Sequence, residues 1–466
     1  MIAPLAFVPD LLLWERDFRA GTALLVGERG EVVGVCSAAE APQRARSCVE
    51  LRGRVLLPGL VNAHSHAFQR LIRGRTEFLT AGRERDDFWS WREPMYAAAN
   101  ALSPEDVYVA SRQAFVEMAL AGMTTVGEFH YLHHQSDGTP YGDRLELAHA
   151  VIRAARDVGL RIALLRVGYA RAGFEVAPNP RQRRFIDGDV GQFLGDVAAL
   201  RAAYASDAAV SIGCAPHSVR AVPRAWLEEV ARSGERVVHM HVSEQPGEIE
   251  ACQREHGRRP VEYLSELGML QRAGVFTAVH GVHLNEREVS LLGDARANVC
   301  ACPSTERNLG DGVVPADALY GAGAVMSLGS DSQTQIDLLD EARQLESHLR
   351  LVRLRRAVLD PCEGEPDGLG ARLFEAATKG GAHSLGLPTG ELQEGAPADF
   401  FTLSLEHPSL VGASVQTLRA SIVFGASAAA VRDVVVAGRT IVSEGRHALA
   451  EESGRAFGAL SRKIFG

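Results

Sequence analysis

Histidine and acidic side chains recur where short apolar segments of the sequence end. His64-Ser65-His66 follows the first of these segments, and His241 ends a later one. An alternating His-x-His pair can turn both imidazoles to the same side of an extended backbone, and neutral imidazole binds Zn²⁺ and Fe²⁺. Such a pair on its own is also common as a structural or surface feature. Together with His241, however, it predicts three ligands of one divalent metal ion.

The fourth ligand is expected to be a carboxylate. Asp331, in Gly329-Ser330-Asp331, follows the last apolar segment, and its oxygens suit both metal binding and proton transfer from water. Taken singly, an aspartate here is equally suited to cap a helix. His239 competes with His241 for the metal, but strand alternation places His239 one layer deeper, which favours His241.

Two further residues have the chemistry of proton transfer. Glu244 lies three residues after His241 and can approach a water at the metal. His280, between Val279 and Gly281, can polarise a substrate or carry a proton. Glu244, His280 and Asp331 are therefore the predicted catalytic residues. The sequence leaves open whether Glu244 or His280 protonates a leaving nitrogen.

The elements that must position these residues alternate along the middle of the chain. Short apolar segments predict strands at 55–61, 124–129, 161–167, 210–214, 237–242, 275–279, 297–302 and 324–328. Amphipathic segments predict helices at 104–121, 145–158, 190–205, 223–232, 260–266 and 337–353. This alternation is typical of an α/β fold, a (β/α)₈ TIM-like barrel whose chemistry lies at the C-terminal ends of the strands. The candidate residues follow those strands.

Both ends of the chain predict strands without intervening helices. These strands are expected at 22–26, 31–35, 400–405, 431–436 and 440–442. We expect the two ends to meet in one small β-sandwich domain, formed by 1–56 and 390–466. The catalytic barrel then spans 57–389.

The composition narrows the range of partners and environments. The 466 residues carry a net charge of −9, from 58 acidic and 49 basic side chains, which argues against a nucleic-acid partner. No segment of about 18 residues is apolar throughout, so no membrane span is expected. The seven cysteines are scattered and odd in number, which favours a reducing, cytoplasmic environment. Cys300-Ala301-Cys302 is interpreted as part of a buried strand, the alternative being half of a metal site.

The order of the metal motifs resembles a known family. Pro58-Gly59-Leu60-Val61-Asn62 precedes the His-x-His pair, and His-x-x-Glu, His and Gly-Ser-Asp follow in turn. This order is similar to that of the amidohydrolase superfamily, in its mononuclear deaminase and chlorohydrolase branch. The segment from Gly390 to Asp399 resembles the return of that family's chain into its small sheet domain. The resemblance implies a homodimeric barrel enzyme with one divalent metal, zinc being expected and iron the alternative.

Lysine content constrains the number of metal ions. The binuclear branch of that superfamily bridges two metals through a carbamylated lysine on a barrel strand. Here Lys379 and Lys463 are the only lysines, and both lie outside the predicted strands. A lysine-bridged pair of metals is therefore excluded, which favours a single ion.

Other segments resemble one subfamily more specifically. They are His64-Ser65-His66-Ala67-Phe68-Gln69-Arg70, Phe88-Trp89-Ser90-Trp91-Arg92-Glu93, Glu128-Phe129-His130-Tyr131-Leu132-His133-His134, Arg183-Arg184-Phe185, His217-Ser218-Val219-Arg220 and Thr305-Glu306-Arg307-Asn308-Leu309-Gly310-Asp311-Gly312. They are similar to the deiminases that hydrolyse N-formimidoyl-L-glutamate to N-formyl-L-glutamate and ammonia in histidine degradation. By this resemblance the substrate-binding residues are Gln69, Arg92, Tyr131, His217 and Arg220. Guanidinium groups suit such a small dicarboxylate substrate because they bind carboxylates with two parallel hydrogen bonds.

Several alternatives stay open at this point. Arg92 could instead form an ion pair with Glu93 or Glu117, and Tyr131 could serve only in packing. The nearest rival function is another mononuclear-metal aminohydrolase, acting on a purine, a triazine or a guanidino compound. A remote alternative is a catalytically inactive barrel used as a scaffold, although the ligand residues are all present. Gln333, if it touches the substrate, would influence fine specificity.

Overall fold

The chain folds into two sheets and the helices around them, in a computed structural model that describes residues 3–79 and 87–466. Its strands are β1 (Leu5–Trp14), β2 (Asp17–Ala20), β3 (Thr22–Val26), β4 (Val32–Ser37), β5 (Ser47–Pro58), β6 (Leu60–Ser65), β7 (Met123–His130), β8 (Arg161–Gly168), β9 (Val210–Pro216), β10 (Val238–Val242), β11 (Phe276–His280), β12 (Asn298–Ala301), β13 (Val325–Leu328), β14 (Phe400–Ser404), β15 (Val431–Val436), β16 (Arg439–Ser443) and β17 (Arg446–His447). Its α-helices are α1 (Ala41–Arg44), α2 (Phe88–Ala101), α3 (Pro104–Leu120), α4 (Glu146–Val158), α5 (Val190–Ala203), α6 (Arg224–Arg232), α7 (Pro246–His256), α8 (Pro260–Glu266), α9 (Glu286–Asp294), α10 (Pro303–Leu309), α11 (Ala316–Ala322), α12 (Leu338–Arg353), α13 (Gly368–Glu375), α14 (Gly381–Ser384), α15 (Leu418–Gly425) and α16 (Ala450–Phe465).

Eight parallel strands, β6 to β13, form the barrel, and each lies beside its neighbours in sequence. Every position of β6, β7 and β8 is buried, because helices cover the outside of the barrel and side chains fill its interior. The ring closes between the ends of β6 and β13, where a parallel bridge pairs Ser65 with Asp331. The predicted (β/α)₈ fold is confirmed.

The first barrel strand begins later than predicted. The segment 55–61 is wrong as a single strand, because β5 runs to Pro58 in the terminal sheet and β6 begins at Leu60. Pro58 has no N–H to donate, and the N–H of Gly59 donates to the carbonyl of Asp399 at 3.0 Å. The chain therefore changes sheets at this proline-glycine pair. The other seven predicted strands match β7 to β13 within two residues at each end.

The two ends of the chain meet in one mixed sheet of nine strands. At its centre β5 pairs in parallel with β1 and antiparallel with β14, so that strands from both ends share one ladder. Phe7, Leu56 and Phe400 belong to the separate apolar core of this sheet. The strands predicted at the chain ends are present as β3, β4, β14, β15 and β16. The domain limits of 1–56 and 390–466 stay a prediction.

Local capping explains where α3 begins. The hydroxyl of Ser103 accepts a hydrogen bond from the N–H of Asp106 at 3.2 Å, and the Asp106 carboxylate accepts one from the N–H of Ser103 at 2.9 Å. All six predicted helices are present, as α3, α4, α5, α6, α8 and α12. In the described parts of the chain, no helix is long and apolar enough to cross a membrane.

Helix α2, which carries Arg92, is not predicted from the sequence. Its first turn is aromatic, and Pro94 lies inside it, so the segment lacks the amphipathic pattern of the other helices. The helix begins at Phe88 because the Asp87 carboxylate accepts hydrogen bonds from the N–H groups of Trp89 and Ser90. A short capping signal thus starts a helix that periodicity alone does not reveal.

Candidate metal centre and substrate pocket

The seam of the barrel brings the His-x-His pair and the last strand together. The N–H of Asp331 donates to the carbonyl of His64 at 3.0 Å, and the N–H of His66 donates to the carbonyl of Asp331 at 3.0 Å. Asp331 has a φ of +44°, a left-handed conformation that is costly for a residue with a side chain. These bonds hold that conformation and place the carboxylate beside the two imidazoles.

Four side-chain atoms converge at this seam, and they come from the four predicted ligands. His64 Nε2 lies 3.2 Å from His66 Nε2 and 3.2 Å from His241 Nε2. Asp331 Oδ1 lies 3.3 Å from His64 Nε2 and 3.2 Å from His66 Nε2. Ligands about 2.0–2.1 Å from a tetrahedral ion lie roughly 3.3 Å apart, so these spacings fit one divalent metal ion.

The hydrogen bonds and pKa shifts of the imidazoles also favour a metal ion at this position. His66 Nδ1 donates to the carbonyl of Phe129 at 2.9 Å, and His241 Nδ1 donates to the carbonyl of His217 at 3.1 Å. When these rings are neutral, Nε2 therefore carries a lone pair instead of a hydrogen. The Nε2 lone pairs face one another and the Asp331 carboxylate, and a bound cation stabilises this arrangement. Burial lowers the pKa of His64 to about 3 and that of His241 well below its usual value. Neutral rings are the form that binds metal.

His239, the competing histidine, lies away from this cluster. It is buried in β10, and its Nε2 is 2.8 Å from the carbonyl oxygen of Ser384. Among the described residues, two groups of side chains could hold a metal ion: His64, His66, His241 and Asp331, and the smaller group of His280, Cys302 and Asp331. The structure therefore brings together the four residues chosen from the sequence and places His239 one layer deeper.

His280 lies beside the cluster with carboxylates on both edges of its ring. Its Nε2 is 3.6 Å from Glu244 Oε1 and 3.9 Å from Asp331 Oδ2. Its Nδ1 is 3.3 Å from Glu306 Oε1. Burial alone would lower the pKa of His280, but Glu244, Glu306 and Asp331 together raise it well above its usual value. The three predicted catalytic residues thus form one contiguous group.

A pocket opens onto the cluster. Its aromatic lining residues are Phe88, Trp91, Tyr96, Tyr131, Tyr169 and Phe185. Its polar and charged lining residues include His66, Gln69, Arg92, His217, Arg220, His241, Glu244, His280 and Asp331. All five predicted substrate-binding residues and all three predicted catalytic residues therefore line one pocket. Their roles stay predictions, but the structure places them where those roles require.

Arg220 is buried between two acidic side chains. Its Nη2 is 3.2 Å from Glu244 Oε2, and its Nε is 3.6 Å from Glu248 Oε2. The guanidinium also lies over the ring of Phe88, 5.1 Å from its centroid. Burial raises the pKa of Glu248 to about 7, with Arg220 opposing the shift. Glu248, on α7, was not predicted from the sequence, because it lies beyond the His-x-x-Glu motif, four residues after Glu244.

Arg92 has aromatic neighbours instead of an acidic partner. Its Nε donates to the hydroxyl of Tyr96 at 3.0 Å, and its guanidinium lies 5.2 Å from the ring centroid of Trp89. Among residues 3–79 and 87–466, no carboxylate lies within ion-pair distance of it. The two acids considered as its partners are engaged elsewhere, Glu93 by Arg181 and Glu117 by Arg70.

The neutral side chains of the pocket are also ordered by contacts. Gln69 Nε2 donates to the hydroxyl of Tyr131 at 2.8 Å, and both side chains are buried. His217 Nδ1 is 3.0 Å from Ser218 Oγ. Burial, together with the positive charges of Arg220 and Arg92, lowers the pKa of His217 well below its usual value. His217 is thus a neutral hydrogen-bonding group at neutral pH.

Gln333 lies behind the metal cluster rather than in the pocket. Its Nε2 donates to Ser65 Oγ at 2.8 Å, and its Oε1 accepts from Ser330 Oγ at 3.0 Å. The Glu128 carboxylate accepts from Ser65 Oγ at 2.5 Å and from the N–H of Ala67 at 2.7 Å. The sequence left open whether Gln333 touches the substrate; Gln333 is not among the residues that line the pocket and instead supports the loop that carries the His-x-His pair.

The Cys-x-Cys pair is buried, as interpreted from the sequence. Cys300 lies in β12, and Cys302 is the N-cap residue of α10. All seven cysteines are free thiols. Cys302 also lies near His280 and Asp331. It therefore forms part of the wall behind the predicted catalytic group.

Comparisons with known proteins agree with this geometry. The sequence profile of the amidohydrolase family matches residues 55–441. Formimidoylglutamate deiminase of Pseudomonas aeruginosa is 40% identical over 412 residues, covering 88% of this chain and 89% of that protein. 8-Oxoguanine deaminase of the same species is 32% identical over 393 residues, covering 82% of each. The crystal structure of an amidohydrolase from Brucella melitensis superposes with a TM-score of 0.89 at 34% identity, covering 99% of this chain and 100% of that one. The chain belongs to the amidohydrolase family.

Proposed function

We propose that the protein hydrolyses N-formimidoyl-L-glutamate to N-formyl-L-glutamate and ammonia. The observation that carries this proposal is the presence of Arg92 and Arg220 in the pocket that opens onto the four-ligand cluster. The substrate has two carboxylates and one hydrolysable imino group, which require two cationic binding groups and one hydrolytic centre. The 40% identity to a formimidoylglutamate deiminase supports the same substrate.

The two arginines offer different sites to the two carboxylates. Arg92 is partly buried and has no acidic partner among the described residues, so a substrate carboxylate would supply the missing negative charge. Arg220 is already paired with Glu244 and Glu248, so a second carboxylate would share its guanidinium with them. Gln69, Tyr131 and His217 complete the set as neutral hydrogen-bonding groups that line the same pocket.

The residues expected to hold the metal are His64, His66, His241 and Asp331. Three nitrogens and one oxygen suit zinc, the expected ion, and iron, the alternative. A divalent metal at this position supplies Lewis acidity and lowers the pKa of water towards neutrality. The number of ions is expected to be one, since Lys379 lies outside the barrel strands and Lys463 lies in α16.

The acidic residues and His280 are placed to move the protons of the reaction. Asp331 accepts a proton as water attacks the formimidoyl carbon. Glu244 and His280, 3.6 Å apart, carry a proton to the imino nitrogen. The carbon–nitrogen bond to that nitrogen then breaks, which releases ammonia and leaves a formyl group on glutamate. Oxygen from water ends on the carbon, and its two protons end on the ammonia.

A second candidate function is deamination of a planar heterocycle. The six aromatic residues of the pocket lining favour it, since aromatic rings stack on purines, and an 8-oxoguanine deaminase is among the relatives. Two arginines in such a pocket would have no carboxylate to bind. Comparison of an anionic imine with guanine and 8-oxoguanine therefore separates the two functions.

The test is ammonia release from N-formimidoyl-L-glutamate, N-formimidoyl-L-aspartate, guanine and 8-oxoguanine by the zinc-loaded protein. We expect the glutamate derivative to have the highest kcat/KM. Replacing either arginine, in Arg92→Ala or Arg220→Ala, removes a charge-assisted hydrogen bond and should lower kcat/KM about ten- to a hundredfold.

Arg181→Ala is the matched control, because Arg181 is an exposed arginine that pairs with Glu93 on α2 without lining the pocket. It should leave kcat/KM within about twofold. Turnover of guanine or 8-oxoguanine in preference to the glutamate derivative, or full activity of both arginine variants, would contradict the proposal.

A further inference from the structure

The ring of His280 has two edges with different surroundings. His280 ends β11, is buried, and has a φ of +73°, a backbone conformation that surrounding contacts must maintain. Its Nε2 edge faces the predicted catalytic acids, 3.6 Å from Glu244 Oε1 and 3.9 Å from Asp331 Oδ2. Rotation of the ring by half a turn would take Nε2 away from both acids. Something must therefore hold the other edge.

Glu306 is the side chain at that other edge. Its Oε1 lies 3.3 Å from His280 Nδ1 and accepts the N–H of Cys302 at 2.8 Å. Glu306 lies in the first turns of α10, is 2% exposed, and is not among the residues that line the pocket. Because a backbone N–H fixes the carboxylate, Glu306 offers His280 a rigid acceptor that does not itself reach the substrate.

We propose that Glu306 is a positioning residue, which holds the His280 ring through Nδ1 so that Nε2 stays directed at Glu244 and Asp331. A carboxylate at Nδ1 selects the ring form with a hydrogen on Nδ1 and leaves Nε2 as the nitrogen that exchanges a proton with the catalytic group. The inference rests on the proposed function, because it takes His280 as part of the proton-transfer group of that reaction.

The alternative is that Glu306 only caps α10. The same helix start offers a matched control, since Glu341 of α12 accepts the N–H of Ser304 at 2.8 Å. Glu341 is 1% exposed and accepts hydrogen bonds from the backbone N–H and the hydroxyl of Ser304, but within the described chain it forms no hydrogen bond or ion pair with His280. A role in capping alone predicts that the two glutamates behave alike when each is replaced by glutamine.

The first experiment compares Glu306→Gln with Glu341→Gln in the zinc-loaded protein. Glutamine keeps an oxygen that can accept the backbone N–H, but at Glu306 it removes the carboxylate beside His280 Nδ1. We expect Glu306→Gln to lower kcat for N-formimidoyl-L-glutamate about a hundredfold, with KM changed less than about threefold. Glu341→Gln should keep kcat within about threefold, and the unfolding temperatures of both variants are measured alongside.

A double-mutant cycle with His280→Asn separates action through His280 from general damage to the site. If Glu306 acts through His280, Glu306→Gln lowers kcat less than about threefold once His280 is replaced. The inference is overturned if Glu306→Gln alone leaves kcat within about threefold, if its effect is equally large in both backgrounds, or if Glu341→Gln lowers kcat as much.

Failure of the proposed function would look different. In that case the wild-type protein releases no ammonia from N-formimidoyl-L-glutamate but turns over another substrate of the panel, and the cycle is run on that substrate. If Glu306→Gln lowers kcat for that substrate about a hundredfold when His280 is present and less than about threefold in His280→Asn, the positioning role of Glu306 is supported. Equal losses with and without His280 overturn it.

Discussion

The two histidines of β10 have different environments although only one residue separates them. Both are buried, and strand alternation directs both to the same side. His241 lies near the strand end, 3.2 Å from His64 Nε2, whereas His239 is 2.8 Å from the carbonyl of Ser384. Depth in the barrel, rather than residue type, separates a predicted ligand from a structural histidine.

This difference predicts opposite outcomes for two alanine variants. His241→Ala should lower the bound metal from one ion per chain to below about a tenth of that, because a three-ligand site binds far more weakly. His239→Ala should keep its metal and lose only stability, about 1–3 kcal/mol, because the carbonyl of Ser384 loses its partner. Metal analysis after dialysis and thermal unfolding measure the two effects. Metal loss in His239→Ala but not in His241→Ala would reverse the assignment.

The sequence and its family resemblance indicated side chains that the structure brings together in the four-residue cluster and the pocket, and their roles stay predictions. Their acidic partners were not predicted. Glu248 and Glu306 lie on helices that follow the strands, and each touches its arginine or histidine only after the chain has folded. Glu306 belongs to a segment that resembles the deiminases, but the sequence does not show which side chain either glutamate contacts. Only the register of helix against strand brings Glu306 to His280.

At the scale of elements, α12 and α10 meet through a buried carboxylate. Glu341 of α12 accepts two hydrogen bonds from Ser304 at the start of α10. Burial raises the pKa of Glu341 to about 8, from a reference value of 4.5. The folded state therefore holds this proton more tightly than the unfolded state does, and ionisation of Glu341 lowers stability because it places a charge in the interior.

The sign of this linkage gives a pH prediction. The contribution of Glu341 to stability is complete below about pH 4.5 and is lost as pH rises towards about 8, since the native pKa is the higher one. Glu341→Gln cannot ionise, so its free energy of unfolding should fall less than that of the wild type between about pH 5 and 8. Denaturant unfolding at several pH values measures both slopes. Equal slopes would show that Glu341 does not carry this linkage.

The strands of the barrel were predictable because both of their faces are buried and they form continuous apolar runs. The change of sheet at Pro58-Gly59 was not, because the apolar run continues across it and only pairing with β14 reveals the break. Helix α2 was not predicted because its aromatic first turn lacks helical periodicity, although the Asp87 side chain caps its start.

At the scale of the whole molecule, the terminal sheet is tied to the barrel by a buried ion pair. The Nη2 of Arg161, at the start of β8, donates to Asp399 Oδ1 at 3.3 Å, and the N–H of Ala437 donates to the same oxygen at 2.7 Å. The carbonyl of Asp399 also accepts the N–H of Gly59 at the change of sheet. Asp399 thus contacts the barrel at Arg161, the turn between β15 and β16 at Ala437, and the link between β5 and β6 at Gly59.

Asp399→Ala should therefore be a stability variant with normal chemistry. Leaving the buried Arg161 unpaired should lower the free energy of unfolding by about 3–5 kcal/mol. We expect kcat to be unchanged because the predicted metal cluster lies at the other end of the barrel strands. Breaking the exposed pair of Arg19 with Glu15, in Glu15→Ala, should cost less than about 1 kcal/mol. Thermal unfolding and kcat at 25 °C are the measurements. A large loss of kcat in Asp399→Ala without a loss of stability would contradict this role.

The predicted metal centre depends on the closure of the barrel. The bridge between Ser65 and Asp331 brings the predicted ligands that follow the first and last barrel strands around one point. The most direct test is to strip the protein of metal with a chelator and titrate it with zinc while ammonia release from N-formimidoyl-L-glutamate is followed. We expect activity to rise linearly and to stop rising at one zinc per chain. No ammonia at any zinc loading, or a rise that continues to two zinc ions per chain, would contradict the account.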